Sequence, residues 1–270
     1  MIRIFPYRTS YTPDDPLVFI GEPPLFRPPD MPVRVSCTFT WDMEQCEALA
    51  ASWAQYYSDV QVGGPAYGSP CDTFTPGQFV KKGIIFTSRG CNNQCGYCFV
   101  PGKEGEIKEL PIHDGWVVQD NNLLQCSESH IRAVFDMLRR QRNPAEFKGG
   151  FEARLFHEWH LDLLNSIRWS SVFFAADTNA ALYDLERVSS LMQGISINKK
   201  RCYVLAGYDG ETIDDAKTRL ISVYRLGFLP FVQYYQGEIR TEKDRAWQDF
   251  IRTWSLPAAY KSEMKKEKHG

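Results

Sequence analysis

At 270 residues and 43% hydrophobic content, the chain is long enough to bury a full core, as one large domain or one domain with an appendage. Lys and Arg total 31 against 33 for Asp and Glu, a formal charge of −2, which excludes a global field drawing the protein to nucleic acid or anionic lipid and leaves only a local basic groove. No run of about 18 apolar residues appears and the opening MIRIFPYRTS lacks the apolar stretch of a signal peptide, so no membrane partner and a cytoplasmic location are expected.

Residues 1–32 carry Pro6, Pro13, Pro16, Pro23, Pro24, Pro28, Pro29 and Pro32, which remove backbone donors, so an irregular extended arm is expected there. VRVSCTFTW (33–41) then reads as a strand, Asp42 as an N-cap, MEQCEALAASWAQYY (43–57) as an amphipathic helix and DVQVGGP (59–65) as a second strand. This strand–helix–strand unit is read as a small N-terminal extension within residues 1–80. Over 81–240, apolar β-rich runs at 83–88, 116–120, 150–155, 171–177, 201–207 and 228–235 alternate with helical patterns at 127–141, 157–167, 179–192 and 212–227. Ser127 and Thr212 sit where helix N-caps belong. Alternation of this kind demands an α/β fold with a parallel sheet and right-handed crossovers, and six such strands curl into an open or partial (β/α)6 barrel with its functional end beyond the strands' carboxyl ends. Residues 241–270 read as a C-terminal extension ending in a charged, frayed tail, KSEMKKEKHG. Tyr234, Tyr235, Arg240, Arg245, Trp247 and Trp254 suit either packing or base stacking, and packing is favoured.

Eight cysteines in a chain of this length without an export signal argue for thiolate ligands rather than disulfides, and three of them fall within eight residues. In TSRGCNNQCGYCFVP (87–101), Cys91, Cys95 and Cys98 lie on a loop after the first barrel strand, with Gly90 and Gly96 letting the backbone fold close to sulfur. Three thiolates on a four-iron cluster leave one iron open. A structural zinc site would need a fourth ligand such as Cys126, His113 or His130. The scattered Cys37, Cys46, Cys71, Cys126 and Cys202 are expected to be small buried hydrophobes.

The Cys-x3-Cys-x2-Cys spacing, with Tyr97 before the third cysteine and the motif after the first barrel strand, resembles the radical S-adenosylmethionine superfamily over about residues 83 to 235. The resemblance implies a 4Fe-4S cluster on Cys91, Cys95 and Cys98, and S-adenosyl-L-methionine on the open iron. It also implies reductive cleavage of that cofactor to a 5′-deoxyadenosyl radical that abstracts hydrogen from a substrate, with flavodoxin or ferredoxin as electron donor. Tyr97 belongs to that motif, and Asn122 ends the second strand in Asp-Asn-Asn where relatives often carry Gly-Gly-Glu for the methionine amino group. That substitution is similar to the branch with cobalamin-type front domains, of which the strand–helix–strand unit ending in QVGGPAYG (61–68) looks like a truncated remnant. Glu152 and Arg154 suit the cofactor carboxylate, the substrate or an ordinary ion pair; Asp177 and Thr178 suit ribose hydroxyls or a helix N-cap. Gly207 lies in VLAGYDGET (204–212), which resembles the adenine-contacting segment. The resemblance leaves the substrate unnamed, with a nucleotide, nucleic acid or peptide in range. Two alternatives stand beside it: a cobalamin-dependent or methylthio-type transferase, the latter with a second cluster on Cys37, Cys46 and Cys71, and a non-catalytic metal or nucleic-acid binding module.

Overall fold

The computed structural model describes residues 1–68, 74–237 and 244–266, and divides the chain into two compact units, the first Met1–Ile84 and the second beginning at Ile85. Cys71 and Arg240 lie outside the described residues.

In the first unit, strands β1 (Ile2–Phe5), β2 (Val18–Ile20), β3 (Val33–Ser36) and β4 (Val60–Gly63) form a parallel sheet in the order β2-β1-β3-β4. The expected irregular arm over 1–32 is therefore corrected. The prolines fall outside β1 and β2, and Ile2 and Ile4 are fully buried, which gives β1 the centre of the sheet. Helix α1 (Met43–Trp53) buries Cys46, Leu49 and Trp53 against Ile2, Ile4, Val33 and Val35. Asp42 makes no capping bond; its carboxylate accepts from the Tyr7 hydroxyl at 2.6 Å.

The second unit carries a six-stranded sheet, whose first strand β5 (Ile84–Ile85) contains the division between the units. A short antiparallel ribbon follows, β6 (Ser88–Arg89) with β7 (Lys108–Glu109), and between its strands stand the cysteine loop and helix α2 (Val100–Glu104). The sheet continues with β8 (Val117–Val118), β9 (Ala145–Phe151), β10 (Trp169–Ala175), β11 (Lys200–Ala206) and β12 (Leu229–Tyr234). Its order, β12-β11-β10-β9-β8-β5, follows the chain without reversal, and the pairs from β8 to β12 are all parallel. Helices α3 (Glu128–Arg139), α4 (Glu158–Asn165), α5 (Asn179–Leu191) and α6 (Ile213–Arg225) fill the successive crossovers. The fold is thus mixed α/β with parallel sheets.

The strand expected at 150–155 instead spans 145–151. Ala145, Phe147 and Phe151 turn into the core, and Ala153–Leu155 form a 3-10 turn, so Glu152 and Arg154 stand just past the strand's carboxyl end. Ser127 and Thr212 cap α3 and α6, each hydroxyl accepting from the backbone three residues on. After β12, α7 (Arg245–Ser255) packs on that strand and α8 (Pro257–Lys266) on α7. The frayed tail is corrected over its first part: Tyr260 and Met264 are buried, four residues apart on one helical face. Trp254 is buried in the same core and Trp247 packs against it, so the packing reading holds for both.

Candidate functional site

Ser88–Arg89 pairing with Lys108–Glu109 throws residues 90–107 out beyond β5 as one excursion. Gly90 starts it at φ +83, a conformation other residues rarely adopt, and a Cβ there would collide with the Glu106 carbonyl. The Cys91 amide donates to the Gly105 carbonyl at 3.0 Å and closes the excursion; the Cys98 amide donates to the Cys95 carbonyl at 2.9 Å and turns the chain between those two cysteines. Arg89 pairs with Glu104, whose other oxygen accepts from the Gly90 amide at 3.2 Å and from Asn121 Nδ2 at 3.0 Å.

Cys91, Cys95 and Cys98 are each half-buried. Burial raises the Cys98 thiol above its ordinary value against an opposing bond from the Val100 backbone, and negative charge on Cys95 or Cys91 adds to the rise. Among the described residues, no three His, Cys, Asp or Glu side chains converge so as to hold a single metal ion.

Glu152 ties this loop to the sheet. Its Oε2 accepts from Asn93 Nδ2 at 3.0 Å, Asn122 Nδ2 at 2.8 Å and Gln125 Nε2 at 3.2 Å, while Oε1 pairs with Arg154 at 2.7 Å. Burial works to raise the Glu152 carboxyl, but the bonds from Asn122, Asn93 and Arg154 outweigh it and hold the pKa low. Asn122 also sets Nδ2 at 3.8 Å from Cys91 Sγ, and its buried Oδ1 has no hydrogen-bond partner among the described residues. Gln125 Oε1 in turn accepts from the Asn92 amide at 2.7 Å.

A second tie runs through Tyr97, whose hydroxyl donates to Asp177 Oδ2 at 3.3 Å, while Asp177 Oδ1 accepts from the Leu205 amide at 2.8 Å. Burial raises the Asp177 carboxyl despite these bonds. Thr178 is the N-cap of α5, accepting from the Ala181 amide at 3.3 Å. The Tyr97 ring meets Tyr208 edge-on at 5.5 Å. Gly207, at φ +80, brings its backbone against the Tyr234 ring and donates to Glu211 Oε2 at 2.9 Å; Glu211 is held by the buried Arg219 at 2.6 Å. The structure thus brings Asn122, Glu152 and Arg154 together beside Cys91, and Tyr97 and Asp177 together beside Cys98. Asn93, Gln125, Glu104 and Tyr208 join them without any signal in the sequence beyond their types.

His130 is committed elsewhere, its Nε2 at 2.9 Å from the Thr87 carbonyl and its Nδ1 3.6 Å from Glu109. Burial pushes the Cys126 thiol up to about 12. In the first unit Cys37 and Cys46 are buried, and the Cys37 thiol donates to the Phe39 carbonyl at 3.3 Å. No helix among the described residues is long and apolar enough to cross a membrane. No protein-family model matches the chain, and no curated protein matches it either.

Proposed function

We propose that the protein is a radical S-adenosylmethionine enzyme in which Cys91, Cys95 and Cys98 hold a 4Fe-4S cluster. The observation that carries this reading is the place of the three-cysteine loop. It stands between the strands of the β6–β7 ribbon, just after the first strand of a sheet whose six strands follow one another in chain order, parallel from β8 to β12. A doubly wound sheet would reverse its order and put its ligand at the reversal; a singly wound one gathers its loops at one end and supports curling into a partial (β/α)6 barrel.

The donor set suits the cluster. A four-iron cluster carries its own bridging sulfides, so its thiolate ligands surround it rather than converge on one atom, and three half-buried free thiols on one short loop suit that need. With S-adenosylmethionine on the open iron, the group supplies reductive cleavage of a carbon–sulfur bond and hence a hydrogen-abstracting radical. The chain's own residues position it. The orphaned Oδ1 of Asn122 suits a cofactor ammonium group, and Glu152, both of whose oxygens are already engaged, holds the Asn122 amide in place. Arg154, whose side chain is 60% exposed, has donors left over for a carboxylate. Both oxygens of Asp177 already accept hydrogen bonds, so its role in this reading is to fix Tyr97 against β11. Gly207 stands at the same end of the sheet, but the Tyr234 ring already fills the space beside it and Glu211 takes its amide, so it serves to hold that ring.

Anaerobic reconstitution, reduction with dithionite in the presence of S-adenosylmethionine and mass spectrometry for 5′-deoxyadenosine test the proposal. Roughly four irons per chain and product that disappears in Cys98→Ala are expected. A colourless protein that binds zinc and never cleaves the cofactor would overturn it.

A further inference from the structure

The six-stranded sheet has two unlike faces. Phe147, Phe151, Val172, Phe174, Val204 and Val232 lie in the helix-covered core. The alternate residues do not, and Phe173, Tyr203 and Phe231, on three adjacent strands, make a ring cluster of their own. Phe173 and Tyr203 stack at 4.7 Å, and Tyr203 meets Phe231 edge-on at 5.6 Å. Phe231 is 41% exposed on β12, the strand at the sheet's edge, and Gln233 beside it is exposed too.

The period of two continues past the strand. Tyr234 turns to Trp247 of α7, while Tyr235, its amide bonded to the Ala206 carbonyl at 2.8 Å, sets its ring 4.9 Å from Tyr208. Tyr208 in turn meets Tyr97, beside Cys98. Phe231 and Gln233, both exposed, and the half-exposed Tyr235 therefore form a track about 13 Å long, at about 3.3 Å per residue, toward the cysteine loop, with Phe173 buried behind it. Arg201 stands on the same face, its guanidinium carbon 5.7 Å from the centre of the Phe173 ring and without an ion pair among the described residues. A single exposed ring needs no explanation, whereas edge strands ordinarily carry charge or proline rather than rings spaced in register toward a reactive loop.

We propose that this face docks single-stranded nucleic acid, with bases stacked on Phe231 and Tyr235 and a phosphate against Arg201. Aromatic faces accept any base, and an unpaired guanidinium suits a phosphate's oxygens. One mononucleotide cannot cover two rings about 13 Å apart, which favours a strand. A peptide added to the edge of β12 would pair with its backbone and leave the rings unexplained. The docking names a substrate class for the proposed radical reaction and rests on that reading only for where the strand must lead.

The test is fluorescence anisotropy of labelled oligouridine and oligothymidine, roughly ten nucleotides long, with the cluster-loaded chain in about 50 mM salt, without reductant or S-adenosylmethionine. Affinity that falls as salt rises is expected, weakened about tenfold by Phe231→Ala and retained in Phe231→Trp. Arg201→Ala should lower the salt slope by about one. If Phe231→Ala fails to fold, Gln233→Glu, at an exposed position, should weaken binding by repelling the phosphates. Wild-type protein that does not bind, a folded Phe231→Ala that binds as tightly, or displacement by uridine monophosphate or an aromatic peptide as effectively as by strand would overturn the proposal. Cofactor cleavage assayed without nucleic acid separates the two ideas: lost docking with intact cleavage removes only the substrate class, and lost cleavage with intact docking only the radical assignment.

Discussion

Asn93 Nδ2 donates to Glu152 Oε2 at 3.0 Å, so a residue between the first two cysteines is anchored to the carboxyl end of β9. Glu152 also accepts from Asn122 and Gln125, and these amides are more enclosed than its partner Arg154, whose side chain is 60% exposed. Hydrogen bonds to a charged acceptor contribute about 1.5–3 kcal/mol, whereas exposed ion pairs contribute about 0–1. Glu152→Ala is therefore expected to lower the urea unfolding free energy of the cluster-free protein by about 1–3 kcal/mol, and Arg154→Ala by less than about 0.5 kcal/mol. Equal losses would show that the ion pair, not the amide cradle, holds the loop.

The tie between Tyr97 and Asp177 makes a different prediction, because it touches the element beside Cys98 rather than Cys91. Asp177→Asn keeps an oxygen for the Leu205 amide and gives the Tyr97 hydroxyl an amide in place of a carboxylate. The expected outcome is a melting temperature within a few degrees of wild type and, on the proposed radical reading, a 5′-deoxyadenosine yield reduced about tenfold with an altered electron paramagnetic resonance spectrum of the reconstituted, reduced protein. Unchanged yield and spectrum would mean that Tyr97 is placed by its contact with Tyr208 alone.

These ties explain which parts of the molecule were legible in the sequence. The cysteine spacing is local, and the strands and helices from 116 to 235 announce themselves by period, so both were readable. The partners of the loop were not: Asn93 and Glu152 lie 59 residues apart, Tyr97 and Asp177 80 apart, and only the folded sheet brings them together. Strand β1 was hidden because four residues, IRIF, stand before a proline-rich run, although the burial of Ile2 and Ile4 outweighs it. The first residues of β9 were hidden because Lys148 and the Gly149-Gly150 pair interrupt the apolar alternation, and α8 because its charged residues obscure the two inward positions, Tyr260 and Met264.

Two glycines give opposite stability predictions. A Cβ on Gly149 would be driven into the backbone of Asp120, whose carboxylate accepts the Thr87 amide at 2.6 Å and the Thr87 hydroxyl, so any shift spreads to the strand before the cysteine loop. Gly149→Ala should cost about 1–3 kcal/mol, the usual scale of overpacking. Gly102, inside α2, has open space around it, and Gly102→Ala should stabilise by about 0.5–1 kcal/mol through helix propensity. Denaturant midpoints of the two variants check both signs, and a neutral Gly149→Ala would mean that β8 and β9 can separate without strain.

His160 makes stability depend on pH. It is buried in α4, its Nδ1 accepts from the His157 amide at 3.0 Å, and its Nε2 has no partner among the described residues. Burial lowers its pKa from 6.5 to about 4, with His157 and Arg132 acting in the same direction, while the bond to the His157 backbone and the charge of Glu128 oppose it. Between those values the unfolded chain binds a proton that the folded chain refuses, so stability is present above 6.5 and is lost as the pH falls toward 4. His160→Asn keeps an acceptor near the Nδ1 position and cannot titrate, though it gives up the ring contact with Trp159 at 3.6 Å. The variant should be less stable at pH 7 yet lose less between pH 6.5 and 4, a comparison read from urea midpoints at several pH values. Parallel loss in variant and wild type would assign the acid sensitivity to the carboxylates and leave His160 a packing residue.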